Sequence, residues 1–268
     1  MNSSVDCRLC AQELPSALER KQPSNHVCAV IVAGGNGVRF GNPRGKQLVS
    51  LCGMPMVCWS VLACDRAPSI DAIVLVAPPA RKQQMLDAIA HNLRLRCPIS
   101  FAQAGRTRQE SVASGLESVP KGYDIVAIHD GARPAVLPQT IEQVIARLLK
   151  DSTLGGAIAA CPSVDTLKIV ENSLIVSTPD RSLYWCAQTP QVFHLRALYN
   201  ALSAAQREGY VGTDDASLVE RYGSQVACVQ SPRSNIKVTL PEDLVIAEAL
   251  LERRFSEESR LGEGIRPS

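Results

Sequence analysis

Apolar residues along this chain fall into short unbroken runs, separated by stretches with helical periodicity. Val27-Cys-Ala-Val-Ile-Val-Ala33 is one such run, and Ile70–Ala77 repeats it. Runs of this kind are expected of strands buried on both faces of a parallel sheet. Further strands are expected at Ile99–Gln103, Tyr123–Ile128, Gly156–Ala160 and Gln225–Val229. Between and after them, helices are predicted across Pro55–Cys64, Arg81–Leu93, Arg106–Leu116, Pro138–Leu149, Arg196–Glu208, Asp214–Tyr222 and Pro241–Arg253. Strand–helix alternation implies right-handed crossovers and a doubly wound, mostly parallel α/β sheet. Residues 162–186 break the rhythm. There, Asp165–Val170 and Leu174–Ser177 flank Glu171-Asn172-Ser173, which predicts a β-hairpin with one polar face, an arm on the main sheet. Residues 1–26 are polar and Pro-punctuated, so they are expected to form a weakly ordered extension. Residues 27–254 make one domain, and the charged tail 255–268 is expected to fray.

Composition narrows the class. Apolar residues make up 46% and charged residues 20%, which is globular, while aromatics at 4% leave the core to Val, Ile, Leu and Ala. The net charge of +2 excludes electrostatic capture of nucleic acid or anionic membrane as the main activity. No run is long enough for a membrane span. Ten cysteines raise the question of disulfides. Cys28, Cys52, Cys58, Cys64, Cys161, Cys186 and Cys228 sit among apolar neighbours, and no secretory leader is evident. A reduced, cytoplasmic chain is therefore expected. Cys7 and Cys10 form a lone C-x-x-C with no second pair, so no metal site is expected there.

In open α/β sheets ligands bind beyond the carboxyl ends of the strands, and loops 33–46, 104–111 and 129–134 all follow predicted strands. The first reads Ala33-Gly34-Gly35-Asn36-Gly37-Val38-Arg39-Phe40-Gly41-Asn42-Pro43-Arg44-Gly45-Lys46. Consecutive glycines let backbone N–H groups approach a polyphosphate closely. The dinucleotide pattern G-x-G-x-x-G fails at Phe40. The Walker pattern fails there too, and at Gln47, which follows Lys46 where a magnesium-binding hydroxyl is needed. A phosphate loop carrying two cations, Arg39 and Lys46, remains.

His129-Asp130-Gly131-Ala132-Arg133-Pro134 places an acid and a base at a strand exit. An ordinary turn with a local Asp–Arg pair reads the same way, and His129 alone is expected to be packed rather than catalytic. Gly105, Arg106 and Ser111 open a helix, where backbone N–H groups can meet a base or phosphate. Lys237 lies in an otherwise uncharged patch, and Arg181 follows the hairpin. Alone, either reads as a solvated charge.

Taken together, Ala33–Arg39, Lys46-Gln47, Arg108–Ser111, His129–Pro134, Asp165–Lys168, Asp180-Arg181-Ser182, Gln188–Gln191, Thr213-Asp214-Asp215 and Asn235–Thr239 resemble the 2-C-methyl-D-erythritol 4-phosphate cytidylyltransferases of the non-mevalonate isoprenoid pathway. The resemblance runs from about Val27 to Arg253. It implies transfer of CMP from CTP to the sugar-alcohol phosphate, with release of pyrophosphate. It implies that Arg39 and Lys46 stabilise charge on the CTP phosphates, and that Arg181 and Lys237 hold the attacking phosphate. Ala33, Gly34, Gly35, Asn36 and Gly37, with Gly105, Arg106 and Ser111, would read cytosine. Asp130 and Gly131 would meet the ribose, and Asp130, Arg133, Thr166 and Thr189 would surround the acceptor. Magnesium would ride mainly on the nucleotide phosphates. The family is a homodimer whose arm enters the partner's site, so Thr166 and Arg181 would act in trans. The related ribitol-5-phosphate cytidylyltransferases, and a CTP-binding protein without catalysis, are the alternatives. The sequence departs from the family pattern at Gly45, where the family usually has Pro before the catalytic Lys. That loop is expected to be more flexible when empty.

Overall fold

A computed structural model describes residues 25–35 and 45–260, with side chains to residue 257. The expectations for residues 1–24, and for 261–268 of the tail, lie outside the described residues. The first strand, β1 (Val27–Val32), sits at the centre of the sheet and shows why the apolar runs are unbroken. Val27, Ala29 and Ile31 enter one core, while Cys28 and Val30 enter the other. A strand covered on both faces needs an apolar residue at every position, and the two-residue period then sorts them to alternate sides.

Ser50–Leu51 (β2) and Met54–Pro55 (β3) form a short hairpin before helix α1 (Met56–Asp65). Then come β4 (Ile70–Ala77), α2 (Lys82–Asn92), β5 (Ile99–Gln103), α3 (Arg108–Glu117), β6 (Ile125–Asp130), α4 (Pro138–Leu149) and β7 (Leu154–Pro162). The arm is β8 (Ile169–Glu171) with β9 (Leu174–Ser177). The chain finishes with β10 (Trp185–His194), α5 (Leu195–Glu208), α6 (Asp215–Arg221), β11 (Gln225–Gln230) and α7 (Pro241–Arg260).

The seven-stranded sheet has the order β11-β7-β10-β6-β1-β4-β5. β10 runs antiparallel to both of its neighbours, and the remaining pairs are parallel. Residues of α1, α2, α4 and α7 cover one face, and residues of α3, α5 and α6 the other. Chain order runs outward from β1 through β4 to β5, then returns to β6 on the opposite side. The carboxyl ends of β1 and β6, where Val32 registers with Asp130, therefore flank a topological switch point.

Two expectations are corrected. β10 was not anticipated: its centre is Gln188-Thr189-Pro190-Gln191, polar and interrupted by a residue without an N–H. The ladder shifts register between Ala187 and Gln191 to accommodate it. Helix α7 runs to Arg260, so residues 255–260 of the expected tail are helical. Arg253 Nε donates to Glu257 at 2.8 Å, an i,i+4 pair that supports the last turns. The arm turns tightly through Asn172 and Ser173, both with positive φ, as a two-residue hairpin turn requires. Every residue of both strands is exposed in the single chain, including Leu174 and Ile175.

At the partner position of Gly156 on β10 stands Phe193, fully buried. A Cβ on Gly156 would lie 2.3 Å from its ring. Gly156→Ala is expected to lower stability by about 1–3 kcal/mol through overpacking. Phe193→Leu in the same chain should recover part of that loss, both read as denaturant midpoints.

Candidate functional site

The loops after β1, β5 and β6 share one rim, and a cavity of about 420 Å³ opens between them. Gly34 and Gly35 form one side, Ala104–Arg108 another, and Asp130 with Ala132 a third; Lys46 and Lys237 also line it. Gly34 must lack a side chain, since a Cβ there would fall 2.6 Å from the Ala104 Cβ. The two loops meet only because that atom is missing. Lys46 is held by Nζ donating to the Val238 carbonyl at 2.9 Å, which ties the phosphate loop to the segment carrying Lys237. Gly45 has φ 76° and ψ 147°. A Cβ there would lie 2.0 Å from the Arg81 guanidinium, so Gly45 is wedged beneath it.

Loop 104–108 is braced from within. Ser111 Oγ donates to the Thr107 carbonyl at 2.8 Å and accepts the Gly105 N–H at 3.1 Å. The Arg106 N–H goes to the Glu110 carboxylate at 2.8 Å, and Thr107 caps α3 by accepting the Glu110 N–H. The N–H groups of Gly105 and Arg106 are therefore engaged. Gly131 also donates inward, to the Val32 carbonyl at 3.0 Å, and is buried behind the lining.

Asp130 is the chemical centre. Its carboxylate is 9% exposed and takes Arg108 Nε on Oδ1 at 3.1 Å and Lys237 Nζ on Oδ2 at 2.8 Å. Arg133 Nε lies 3.8 Å away. Burial works against its charge, but Arg108 and then Lys237 outweigh it and hold this carboxyl well below the ordinary range. Arg108 reaches onward through Nη2 to Asp215, 1% exposed, at 2.8 Å. Burial disfavours the guanidinium charge too, yet Asp215 and Asp130 overcome it and raise its pKa. Asp215 itself is pushed upward by burial, against the pull of Arg108.

Beyond this row lies a second cavity of about 270 Å³, lined by Arg133, Gln188, Thr189, Gln191, Thr213 and Asp214 as well. Arg108, Asp130 and Lys237 line both cavities and form the wall between them. Arg133 donates to the Asn235 carbonyl at 2.7 Å. Thr189 Oγ1 accepts the Asp130 N–H and pairs with His129 Nδ1, each at 3.0 Å.

Thr166 and Arg181 are exposed on the arm and line neither cavity; Arg181 donates to the Val164 carbonyl at 2.9 Å. Ala33 is buried behind the first cavity. Asn36, Gly37 and Arg39 lie outside the described residues.

A family model described as IspD, 2-C-methyl-D-erythritol 4-phosphate cytidylyltransferase, matches residues 27–253. The chain belongs to this family. A 2-C-methyl-D-erythritol 4-phosphate cytidylyltransferase from a Synechococcus strain is 41% identical over 226 residues, covering 84% of this chain and 96% of the relative. One from Syntrophus aciditrophicus is 41% identical over 236 residues, covering 88% and 98%. The crystal structure of 4-diphosphocytidyl-2C-methyl-D-erythritol synthase from Anaerococcus prevotii superposes with TM-score 0.76 at 26% identity, covering 86% of this chain and 97% of the other. The chain is thus a cytidylyltransferase, a nucleotidyltransferase of the non-mevalonate isoprenoid pathway. The α/β sheet with its small arm hairpin is the expected architecture of an IspD protein.

Several site residues of this IspD chain carry no role that the sequence alone gives them: Arg108, Gln188, Gln191, Asp214, Asp215 and Asn235. Gln191 donates to Asp214 at 2.7 Å and accepts the Ala216 N–H at 3.1 Å, fastening β10 to α6. Asn235 donates to Gln188 and to the Thr189 carbonyl. The available signal was polar residues inside segments that also match the family, but burial decides their role.

His129 is fully buried, and burial pushes its pKa down to about 4. The unfolded chain binds this proton near pH 6.5 and the folded chain only near 4. The contribution of His129 to stability is therefore complete above 6.5 and is lost as pH falls through that window. Asp215, with its raised pKa, opposes this from the carboxylate range upward. The His129→Gln variant isolates the imidazole. Its stability should climb less steeply between pH 4 and 6.5, by about 1.4 kcal/mol per unit, in urea titrations at several pH values.

Proposed function

We propose that the larger cavity holds CTP and that the smaller one holds the phosphate-bearing acceptor, methylerythritol 4-phosphate. The acceptor phosphate would attack the CTP α-phosphorus in line where the two cavities open onto each other beside their shared residues, with pyrophosphate leaving. The observation that carries this reading is the row of Arg108, Asp130 and Lys237 shared by two adjoining cavities. Two reactants bound in adjoining cavities against the same side chains meet at a fixed geometry, which is the main contribution required where no covalent intermediate forms. Lys46, with Arg39 from the same loop, would stabilise charge gathering on the triphosphate. Lys237 would orient the acceptor phosphate, and Asp130, Arg133 and Thr189 would frame the acceptor. Because the Gly105 and Arg106 N–H groups are engaged within the loop, reading of cytosine there falls to carbonyl oxygens and the Arg106 side chain.

Among the described residues no group of three or more His, Cys, Asp or Glu could hold a metal ion. The carboxylate nearest the chemistry, Asp130, is taken up by cations. That donor set fits magnesium carried on triphosphate and water oxygens, where the ion would neutralise charge on the leaving group.

The arm supports a homodimer reading. Ile169, Val170, Leu174, Ile175, Val176, Leu183, Tyr184 and Trp185 are all exposed, more apolar surface than a projecting hairpin holds without a partner. A second copy would cover it and receive Thr166 and Arg181 into its acceptor cavity. Among the described residues no helix is long and apolar enough to cross a membrane, and the eight described cysteines are free. The free cysteines fit a reducing cytoplasm.

Pyrophosphate release with CTP, compared between methylerythritol 4-phosphate and ribitol 5-phosphate, tests the reading. The former alone should support release. Release with ribitol 5-phosphate alone moves the chain to the sister activity, and CTP binding without release under either condition ends the catalytic reading. Lys46→Ala should lower turnover by about 10²–10³-fold, with a smaller effect on CTP affinity. Mixed Arg39→Ala and Arg181→Ala protomers should regain activity that neither has alone, because a heterodimer assembles one intact site. Exchange of subunits shown by mass, with no activity regained, overturns the trans-acting arm.

A further inference from the structure

Asp215 lines neither cavity, yet it is the most deeply buried carboxylate near the site. It stands at the first position of α6, whose amino end is closed by Asp214. The Asp214 side chain accepts the Ser217 N–H at 2.9 Å, while Ser217 Oγ accepts the Asp214 N–H. This reciprocal cap fixes where the helix begins and so where Asp215 projects. Gln191 of β10 locks the same turn by accepting the Ala216 N–H. The carboxylate is thus rigidly mounted on two elements that are distant in sequence from α3.

Its ion-pair partner is Arg108, at 2.8 Å. The guanidinium is forked: Nη2 serves Asp215, while Nε serves Asp130 Oδ1. The guanidinium is confined between two carboxylate charges, by an ion pair to Asp215 and by a hydrogen bond to Asp130, and that hydrogen bond passes the confinement on to the Asp130 carboxylate. Since Asp130 Oδ2 carries Lys237, the row Asp215–Arg108–Asp130–Lys237 alternates in charge from the buried helix start to the wall between the cavities. The two cations are partly exposed, Arg108 at 29% and Lys237 at 41%, whereas both carboxylates are buried, Asp215 most deeply.

We infer that Asp215 is a positioning residue for cytidyl transfer: acting through Arg108, it fixes the Asp130 carboxylate, and with it Lys237, in the wall that separates nucleotide from acceptor. A carboxylate buried at this depth raises the cost of folding unless its partner is fully engaged, so the pair is dearly held for stability alone. Its alignment with the wall gives it a use. The inference rests on the proposed assignment of the two cavities. Without Asp215, Arg108 keeps one carboxylate and swings on it. Asp130 then loses its fixed plane, and the acceptor side loses its geometry more than the nucleotide loses its triphosphate contacts.

The test is a set of steady-state measurements on the full chain below its melting temperature, with folding checked by circular dichroism. Asp215→Ala should raise the KM for methylerythritol 4-phosphate by about 10-fold or more and the KM for CTP by much less. Asp215→Asn, which still offers Arg108 an acceptor oxygen, should restore most of that loss. In an Asp130→Asn background, Asp215→Ala should add little, because residues acting through one another are not additive. A merely structural Asp215 would lower the melting temperature while leaving the acceptor KM unchanged, or would act equally in both backgrounds. Either result overturns the inference and leaves the cavity assignment standing. If Asp215→Ala is not folded, Asp215→Asn carries the same comparison, with an acceptor KM increase of about 3-fold that vanishes in the Asp130→Asn background. An unsubstituted chain that releases no pyrophosphate with methylerythritol 4-phosphate overturns the cavity assignment itself, and the inference with it.

Discussion

The Asp130 carboxylate is a buried negative charge that the fold surrounds with positive ones, and the site is arranged around that constraint. Burying a carboxylate costs several kcal/mol unless it is paired and hydrogen-bonded. Its partners come from separate parts of the chain: Arg108 opens α3, Arg133 follows in the turn after β6, and Lys237 lies beyond β11. Even its backbone N–H is met from elsewhere, by Thr189 of β10. Each segment must be in place before the charge is compensated, so satisfying one carboxylate also assembles both cavities. A reacting phosphate arriving there meets dipoles and charges already oriented, with little left to reorganise.

The reversed strand β10 is the structural cost of that arrangement. A purely parallel sheet would put another carboxyl end beside β6. Instead the antiparallel strand sends the middle of its run, Gln188 to Gln191, past the carboxyl end of β6. Buried amides at these positions would be expensive unpaired. Here Gln191 is paired with α6, while Gln188 and the Thr189 carbonyl are paired with Asn235. The same bonds join the elements bearing Asp214, Asp215 and Lys237 to the strand.

This explains which parts of the molecule were legible in the sequence. β1 and β4 announce themselves because burial on both faces leaves no room for polar residues. The rim follows from the order of strands and glycines. β10 hides because its residues answer to the site rather than to the core, so Pro190 and the surrounding amides read as a loop. Arg108 and Asp215 hide because a charge in a sequence carries no mark of burial, and both would be read as solvated helix residues. The end of α7 hides for the opposite reason. Glu257 and its neighbours read as a polar tail, but Arg253 sits one turn earlier and pairs with it.

Gly45 shows how a departure from a family pattern can be read once the backbone is known. From sequence, glycine before Lys46 suggested a loop loosened by the missing proline ring. In the structure its φ of 76° is closed to proline, whose ring holds φ near −65°. The position a side chain would fill is taken by the Arg81 guanidinium. A side chain at this position would have to displace that guanidinium, which glycine leaves in place. Glycine still gives up more entropy on folding than proline would. The Lys46 tether to the Val238 carbonyl fixes the residue that follows Gly45. Replacing Gly45 by proline would therefore require both a different backbone and a displaced arginine.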